Sequence, residues 1–250
     1  MSSPQSNEPR TAAVFGATGG IGRALCRELI GRGYGRVFAG SRAGQGPEID
    51  NDPAQVIAPF AFDLEDENTI AAAVQIMRQT PPQLVIIATG ALTLPDGSGP
   101  ERSYKRIEPT HMTRLLALNT IGPALIAKHI LPLFSRDTHN VFAALSARVG
   151  SISDNGLGGW HSYRASKAAL NMLLRNFALE HGRTHKNDLV VGLHPGTVDT
   201  GLSEPFQANV PDGKLFTPAF SAKSMLNVLD RLTPEDSGAV FDWKGDRIPE

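Results

Sequence analysis

Short apolar runs alternate along this chain with longer stretches in which apolar residues recur every three or four positions. The short runs fall at residues 11–15, 36–40, 56–62, 84–88, 141–145, 189–193 and 239–241. They are nearly continuous in apolar character, as strands buried on both faces are. The longer stretches predict helices at 21–32, 66–79, 110–134, 162–181 and 218–232. Gly33 follows the first of these, where a left-handed C-terminal cap favours glycine. Strand-then-helix alternation predicts an α/β fold: a doubly wound parallel sheet of about seven strands covered on both faces.

Two places break the rhythm. Residues 43–53 (AGQGPEIDNDP) should hold a crossover helix but are rich in Gly, Pro and Asp, and read as a loop or a single turn. Residues 94–109 read as a surface excursion. No repeat or linker divides the chain, so 1–250 is expected to be one domain with a flexible polar tail at 1–10 that lacks an apolar signal core.

Composition narrows the function less than it narrows the compartment. A formal net charge of -1 leaves no electrostatic footprint for nucleic acid or an anionic membrane. The densest basic run, 102–106 (RSYKR), sits among Gly, Pro and Ser and reads as a solvated loop. The single cysteine, Cys26, excludes an internal disulfide and lies in an apolar helical stretch, where it reads as core. No run approaches the roughly 18 apolar residues of a membrane span. The expected location is the cytoplasm. His181 and His185 are four apart, but Gly182 and the helix end between them argue against a shared face, and no metal site is expected.

The first strand runs into Gly16-Ala17-Thr18-Gly19-Gly20-Ile21-Gly22, and a helix follows. Glycines let the backbone turn sharply and approach a pyrophosphate, while the helix start offers free N–H groups and a positive dipole end. A dinucleotide's 2′ position is read at the end of the second strand, where an acid meets a ribose hydroxyl and a cation meets a phosphate. Here the strand ends Ala39-Gly40-Ser41-Arg42, with no acid before Glu48. Ser41 can donate a hydrogen bond and Arg42 can grip phosphate with a planar fork, which points to NADP(H).

Tyr163 and Lys167 open the fourth predicted helix and share one face at i,i+4 spacing. A phenol ordinarily titrates near pH 10. The ammonium and the helix's positive end are both expected to favour phenolate and bring the group toward working pH.

With these features in place the chain resembles the short-chain dehydrogenase/reductase family over essentially its full length, closest to the C-factor-like and sniffer-like carbonyl reductase branch. Ser146-Ala147-Arg148-Val149-Gly150-Ser151 and Gly158-Gly159-Trp160 carry the branch likeness. The resemblance implies a Rossmann fold in which Gly16, Thr18, Gly19, Gly20, Ile21 and Gly22 cradle NADP(H) and Ser41 and Arg42 read its phosphate. It implies adenine contacts from Asp63 and Leu64, and contacts from Ala88, Thr89 and Gly90, where the family commonly has Asn-Ala-Gly. It places Pro195, Gly196, Val198 and Thr200 in the nicotinamide loop. Phe15 replaces a threonine frequent before the first glycine. The catalytic set it implies is Tyr163 as proton donor, Lys167 as tuner and ribose ligand, Asn119 holding a water for proton resupply, and a serine polarising the carbonyl.

That serine is ambiguous. In most relatives it stands three residues before a glycine; three before Gly150 is Ala147. Ser146 ends the fifth strand, one residue early, and a bulge or early exit would turn it toward Tyr163. Ser151 is the other candidate. Ser146 is the expected choice.

Residues 202–216, with their Phe, Leu, Gly and Pro, read as a substrate flap over an apolar pocket. The expected partner is a small carbonyl or alcohol, not nucleic acid or membrane, and homo-oligomerisation is left open. A signalling or cofactor-sensing protein of the same fold with little turnover is the alternative, because fold does not settle function.

Overall fold

The computed structural model describes residues 9–50, 52 and 55–250. The tail expected at the N-terminus falls, over 1–8, outside the described residues, as do Asn51 and Pro53 of the expected loop. The buried apolar runs form the strands they predict: β1 (Thr11–Phe15), β2 (Arg36–Ser41), β3 (Ile57–Ala61), β4 (Leu84–Ile87), β5 (Val141–Leu145), β6 (Leu189–His194) and, after a two-residue pair described below, β9 (Val240–Asp242). They make one seven-stranded parallel sheet in the order β3-β2-β1-β4-β5-β6-β9. Strand order reverses between β1 and β4, and a crevice opens there beyond the carboxyl ends, where such sheets bind ligands.

Alternation along β1 divides the core. Ala12 and Val14 face α1 (Gly20–Gly31) and α6 (Pro218–Leu229), packing with Leu25, Leu29, Met225 and Leu226. Ala13 and Phe15 face the other layer, α2 (Glu67–Met77), α4 (Gly122–Ile130) and α5 (His161–His181), with Ile70, Ile126, Leu170 and Leu174. Phe15 meets Phe60 and Phe62 edge-on, with ring centroids 5.1 and 5.0 Å apart. That packing accounts for the residue standing where a threonine is frequent. Cys26 is fully buried, and desolvation pushes its thiol up to about 12, so it is an inert core residue.

The predicted third helix is one continuous helical run with a flaw. α3 (Pro109–Leu116) passes through a π turn at Ala117–Ile121 into α4, and a 3₁₀ turn at Leu131–Leu133 ends it. By length and composition alone this run could cross a membrane, at a mean hydropathy of 1.3 over its most apolar window, although Arg114, Asn119 and Lys128 interrupt it. Its Leu115, Ile126 and Ile130 are instead buried in the domain, as a core helix requires. Residues 43–50 form no helix. Two two-residue strands, β7 (Thr197–Val198) and β8 (Leu215–Phe216), pair beside the main sheet and are too short to show any period in sequence. Gly33 takes φ 77°, and the N–H groups of Gly33 and Tyr34 cap the Ile30 and Leu29 carbonyls, as expected of a helix-ending glycine.

Candidate active site

The glycine turn is clamped over the end of β2. Gly16 N–H and Ala17 N–H both reach the Gly40 carbonyl, at 3.0 and 2.8 Å. Gly16 sits at φ 90°, and a Cβ there would come within 2.9 Å of Thr89 Cγ2, so the turn and the Ala88-Thr89-Gly90 segment after β4 lie against each other. A Cβ at Gly22 would run into the Gly16 carbonyl oxygen, so close helix–strand packing demands glycine there. At Gly20 it would meet Thr200 Cγ2 at 2.7 Å, which joins the turn to the loop after β6. Thr18, Gly19 and Gly20 stay exposed and Ile21 is partly so, while Gly19 N–H bonds back to Gly16 O at 3.2 Å. Thr89 Oγ1 is buried with no partner. These are the features a pyrophosphate cradle needs, and the donor set fits a dinucleotide.

At the end of β2, Ser41 is buried and its hydroxyl donates to Gln45 O at 2.7 Å, while Arg42 is exposed and has no ion pair among the described residues. Arg42 is thus the free cation of the pair expected there. Asp63 closes a turn after β3, accepting Glu65 N–H at 3.0 Å, and the adjacent Asp66 is what caps α2. Leu64 packs against Gly122, where a Cβ would collide with it. In the loop after β6, Pro195 O accepts the Ser221 hydroxyl at 2.8 Å, Gly196 takes φ 79° beneath Phe216, and Val198 is buried in β7. Thr200 Oγ1 donates back to Val198 O at 3.3 Å.

Tyr163 and Lys167 point from α5 into one buried place. Lys167 Nζ lies 5.9 Å from the Tyr163 ring centroid and donates to Leu145 O at 2.8 Å. A Cβ on Gly90 would lie 3.5 Å from both Lys167 Nζ and Asn119 Oδ1, so the strand end, the lysine and the asparagine converge. Asn119 is fully buried in the π turn, a deformation often found at functional sites. Its amide accepts Ala91 N–H at 2.8 Å and donates to Ala91 O at 2.8 Å and Ser166 Oγ at 3.1 Å. Desolvation pushes Tyr163 up to about 12 and Lys167 down to about 8. Burial therefore disfavours each charge taken alone.

The serines fall differently from expectation. Ser146 N–H still bonds Leu193 O at 2.8 Å, so the residue follows the strand pattern with no bulge. Its buried hydroxyl donates to Asn171 Oδ1 at 2.6 Å, one helical turn beyond Lys167. Ser151 Oγ accepts Asp154 N–H at 3.1 Å. What shares the apolar cluster of Tyr163 with Leu92, Leu94 and Leu115 is Ala147, the very position the family's spacing singles out.

The flap roofs this cluster. Phe206, in a 3₁₀ turn at Glu204–Asn209, packs on Trp160 at 5.2 Å, and Trp160 meets Tyr163 edge-on at 6.3 Å. Leu92, Leu94 and Trp160 carried no chemical signal in the sequence, and only the fold assembles them. The same holds for Glu101, buried although the surrounding excursion reads as surface. At the opposite end of the sheet, the imidazoles of His181 and His185 stack at 4.0 Å, which corrects the expectation that Gly182 separates them. His185 N–H still reaches His181 O and so continues the helical turn. Asp188 pairs with His181 Nε2 at 2.7 Å and accepts Asn140 Nδ2 at 2.8 Å, so its carboxylate is already satisfied.

Comparison with known proteins bears on the fold and the family. C-signal of Myxococcus xanthus is 34% identical over 143 residues, 57% of this chain and 81% of that protein. A 1-hydroxy-2-glutathionyl-2-methyl-3-butene dehydrogenase of a Rhodococcus species is 29% identical over 230 residues, 91% and 94% of the two chains. The NADPH-bound carbonyl reductase from chicken fatty liver superposes with a TM-score of 0.78 at 26% identity, covering 97% of this chain and all of that one. The family model for short chain dehydrogenase matches residues 10–211. With that match over most of its length, the chain belongs to the short-chain dehydrogenase family of oxidoreductases.

Proposed function

We propose that this protein is an NADP(H)-dependent oxidoreductase that reduces a carbonyl to an alcohol, or runs the reverse, with Tyr163 as the proton donor. The observation that carries the reading is the convergence of Tyr163, Lys167 and Asn119 at the crevice beside the glycine turn. The NADP- and NADPH-bound state of solved relatives supports the cofactor. Residues 16–22, Arg42, Asp63, the 88–90 segment, Lys167 and the 195–200 loop are the groups that would hold it. NADPH, when bound there, would supply the hydride chemistry that reduction of a carbonyl requires. Tyr163 O–H gives its proton to the carbonyl oxygen as charge develops there. Lys167 stabilises the phenolate that results. Asn119 has its amide committed to Ala91 and Ser166, so its main-chain carbonyl is the group left to hold a water for proton resupply. Ser146 enters as a brace between β5 and α5 through Asn171, not as the polarising hydroxyl. The partly exposed Trp160 and Phe206, backed by the buried Leu92, Leu94 and Leu115, would offer an apolar wall to the substrate.

Cofactor choice rests on Arg42. Arg42→Ala is expected to weaken NADPH by about 1.5–3 kcal/mol, roughly ten- to a hundredfold, and to spare NADH. Fluorescence titration with both cofactors checks it, and equal affinities in the unmutated protein would remove the assignment.

Proton transfer carries a sign in pH. Reduction uses neutral Tyr163 and cationic Lys167. With Lys167 lowered to about 8 and Tyr163 raised to about 12, the lysine is the first to lose its proton as pH rises. Reductive kcat/KM should therefore fall as pH climbs through about 8, while alcohol oxidation, which needs phenolate, should rise only as pH climbs toward about 12. A reductive profile flat from neutral to alkaline pH contradicts this.

A second reading has one observation in its favour: a methyl group at Ala147 where the family's polarising hydroxyl stands. On this reading the protein binds cofactor and signals with little turnover, and a panel of carbonyls assayed with both cofactors separates the two.

A further inference from the structure

Glu101 lies in the excursion between β4 and α3, yet its carboxylate is buried against the first turn of the helix that carries Tyr163. Its Oε2 accepts Ser162 N–H at 3.1 Å, and its Oε1 accepts the Ser162 hydroxyl. Its main-chain oxygen accepts Trp160 N–H at 2.6 Å. From α3, His111 Nδ1 approaches Oε1 at 3.3 Å, and since a carboxylate only accepts, the proton sits on that nitrogen. Nothing local does this work. Trp160, at the N-cap of α5, takes the left-handed conformation (φ 52°, ψ 41°), and its side chain makes no capping bond. A helix start leaves N–H groups that need partners, and here that of Ser162 is met by a side chain 61 residues away in sequence. Burial alone would raise the Glu101 pKa, but the bonds from Ser162 and His111 and its own backbone outweigh it and hold the carboxyl below the usual range.

An anion bonded to a helix N-terminus offsets the partial positive charge there. Left uncancelled, that positive end would help to acidify Tyr163. The other charged groups around the tyrosine are few. Lys167 lies below it on α5, and His111 faces Glu101 from α3. In the segment after β5, Arg148 is engaged by Asp154 and Asp242. On α5 itself, Arg164 bonds Gly159 O and Val149 O. The flap presents Phe206, which is apolar.

We infer that Glu101 is a positioning residue for the reaction: its carboxylate seats the first turn of α5, with Trp160 and Tyr163 on it, and cancels the helix's positive end, leaving Lys167 to tune the tyrosine. The inference rests on the proposal that Tyr163 is the acid. Two variants of the full-length protein test it. Glu101→Ala removes the seat. Amide exchange in the first turn of α5 should then quicken tenfold or more, with the second half of the helix unchanged, and kcat should fall about tenfold while NADPH affinity holds. Glu101→Gln keeps an acceptor for Ser162 N–H but removes the charge. The alkaline limb of alcohol oxidation should then move to lower pH by roughly half a unit. Unchanged exchange in Glu101→Ala overturns the seating claim, and an unshifted profile in Glu101→Gln overturns the electrostatic one. If the unmutated protein turns over no carbonyl, the catalytic reading fails and takes the electrostatic claim with it, while exchange still decides the seat.

Discussion

Tyr163→Phe is expected to lower turnover about 10²–10⁴-fold, the worth of a positioned acid, while leaving NADPH affinity nearly unchanged. The substitution removes one hydroxyl and keeps the ring in its cluster with Leu92, Leu94, Leu115 and Ala147. Trp160 keeps its edge-on contact as well. Pushed up to about 12 by burial, that hydroxyl holds its proton throughout the neutral range, as an acid must. Lys167 still donates to Leu145 O and stays available to the ribose. Steady-state rates on any accepted carbonyl, with fluorescence titration of NADPH alongside, provide the check. A phenylalanine variant that kept most of its activity would mean that another group gives the proton.

The second large effect is a gain. Ala147→Ser places a hydroxyl where most of the family carries its polarising serine, in the cluster that includes Tyr163. A single donor aimed at a developing oxyanion is worth about 10²–10³ in rate when well placed, so a rise of about tenfold or more in kcat is expected. Ser146→Ala, which removes only the bond to Asn171, is expected to cost less than Tyr163→Phe by a wide margin. The pair of variants decides the matter. An inert Ala147→Ser with a crippled Ser146→Ala would restore Ser146 as the polarising group.

These outcomes bear on what a sequence can show. Most of the seven-stranded sheet was legible because its central strands β1, β4 and β5 are buried on both faces, which leaves an unbroken apolar run; the edge strand β3, with Pro59 and Ala61 exposed, is the exception. The glycine turn and the Tyr163–Lys167 pair were legible because their geometry is local, a few residues either side of a strand end or one helical turn. The resemblance to the family extended that reading to Asn119 and the 195–200 loop, whose positions mean little in isolation. What stayed hidden depends on distant partners. Ser146 finds Asn171 25 residues away, and no rule about strand ends foretells that bond. The π turn at Ala117–Ile121 leaves the helical period of 110–134 almost intact, so the pattern read as one smooth helix. Glu101 looked like part of a solvated loop because a polar, glycine-rich segment gives no sign that one of its carboxylates caps a buried helix.

The central claim is NADPH-dependent carbonyl reduction, and the most direct measurement is NADPH oxidation by the purified protein over a panel of aldehydes and ketones, repeated with NADH. The account predicts turnover of at least one carbonyl bearing an apolar body, with NADPH preferred and the rate lost in Tyr163→Phe. Tight NADPH binding with no oxidation above background across the panel would contradict it.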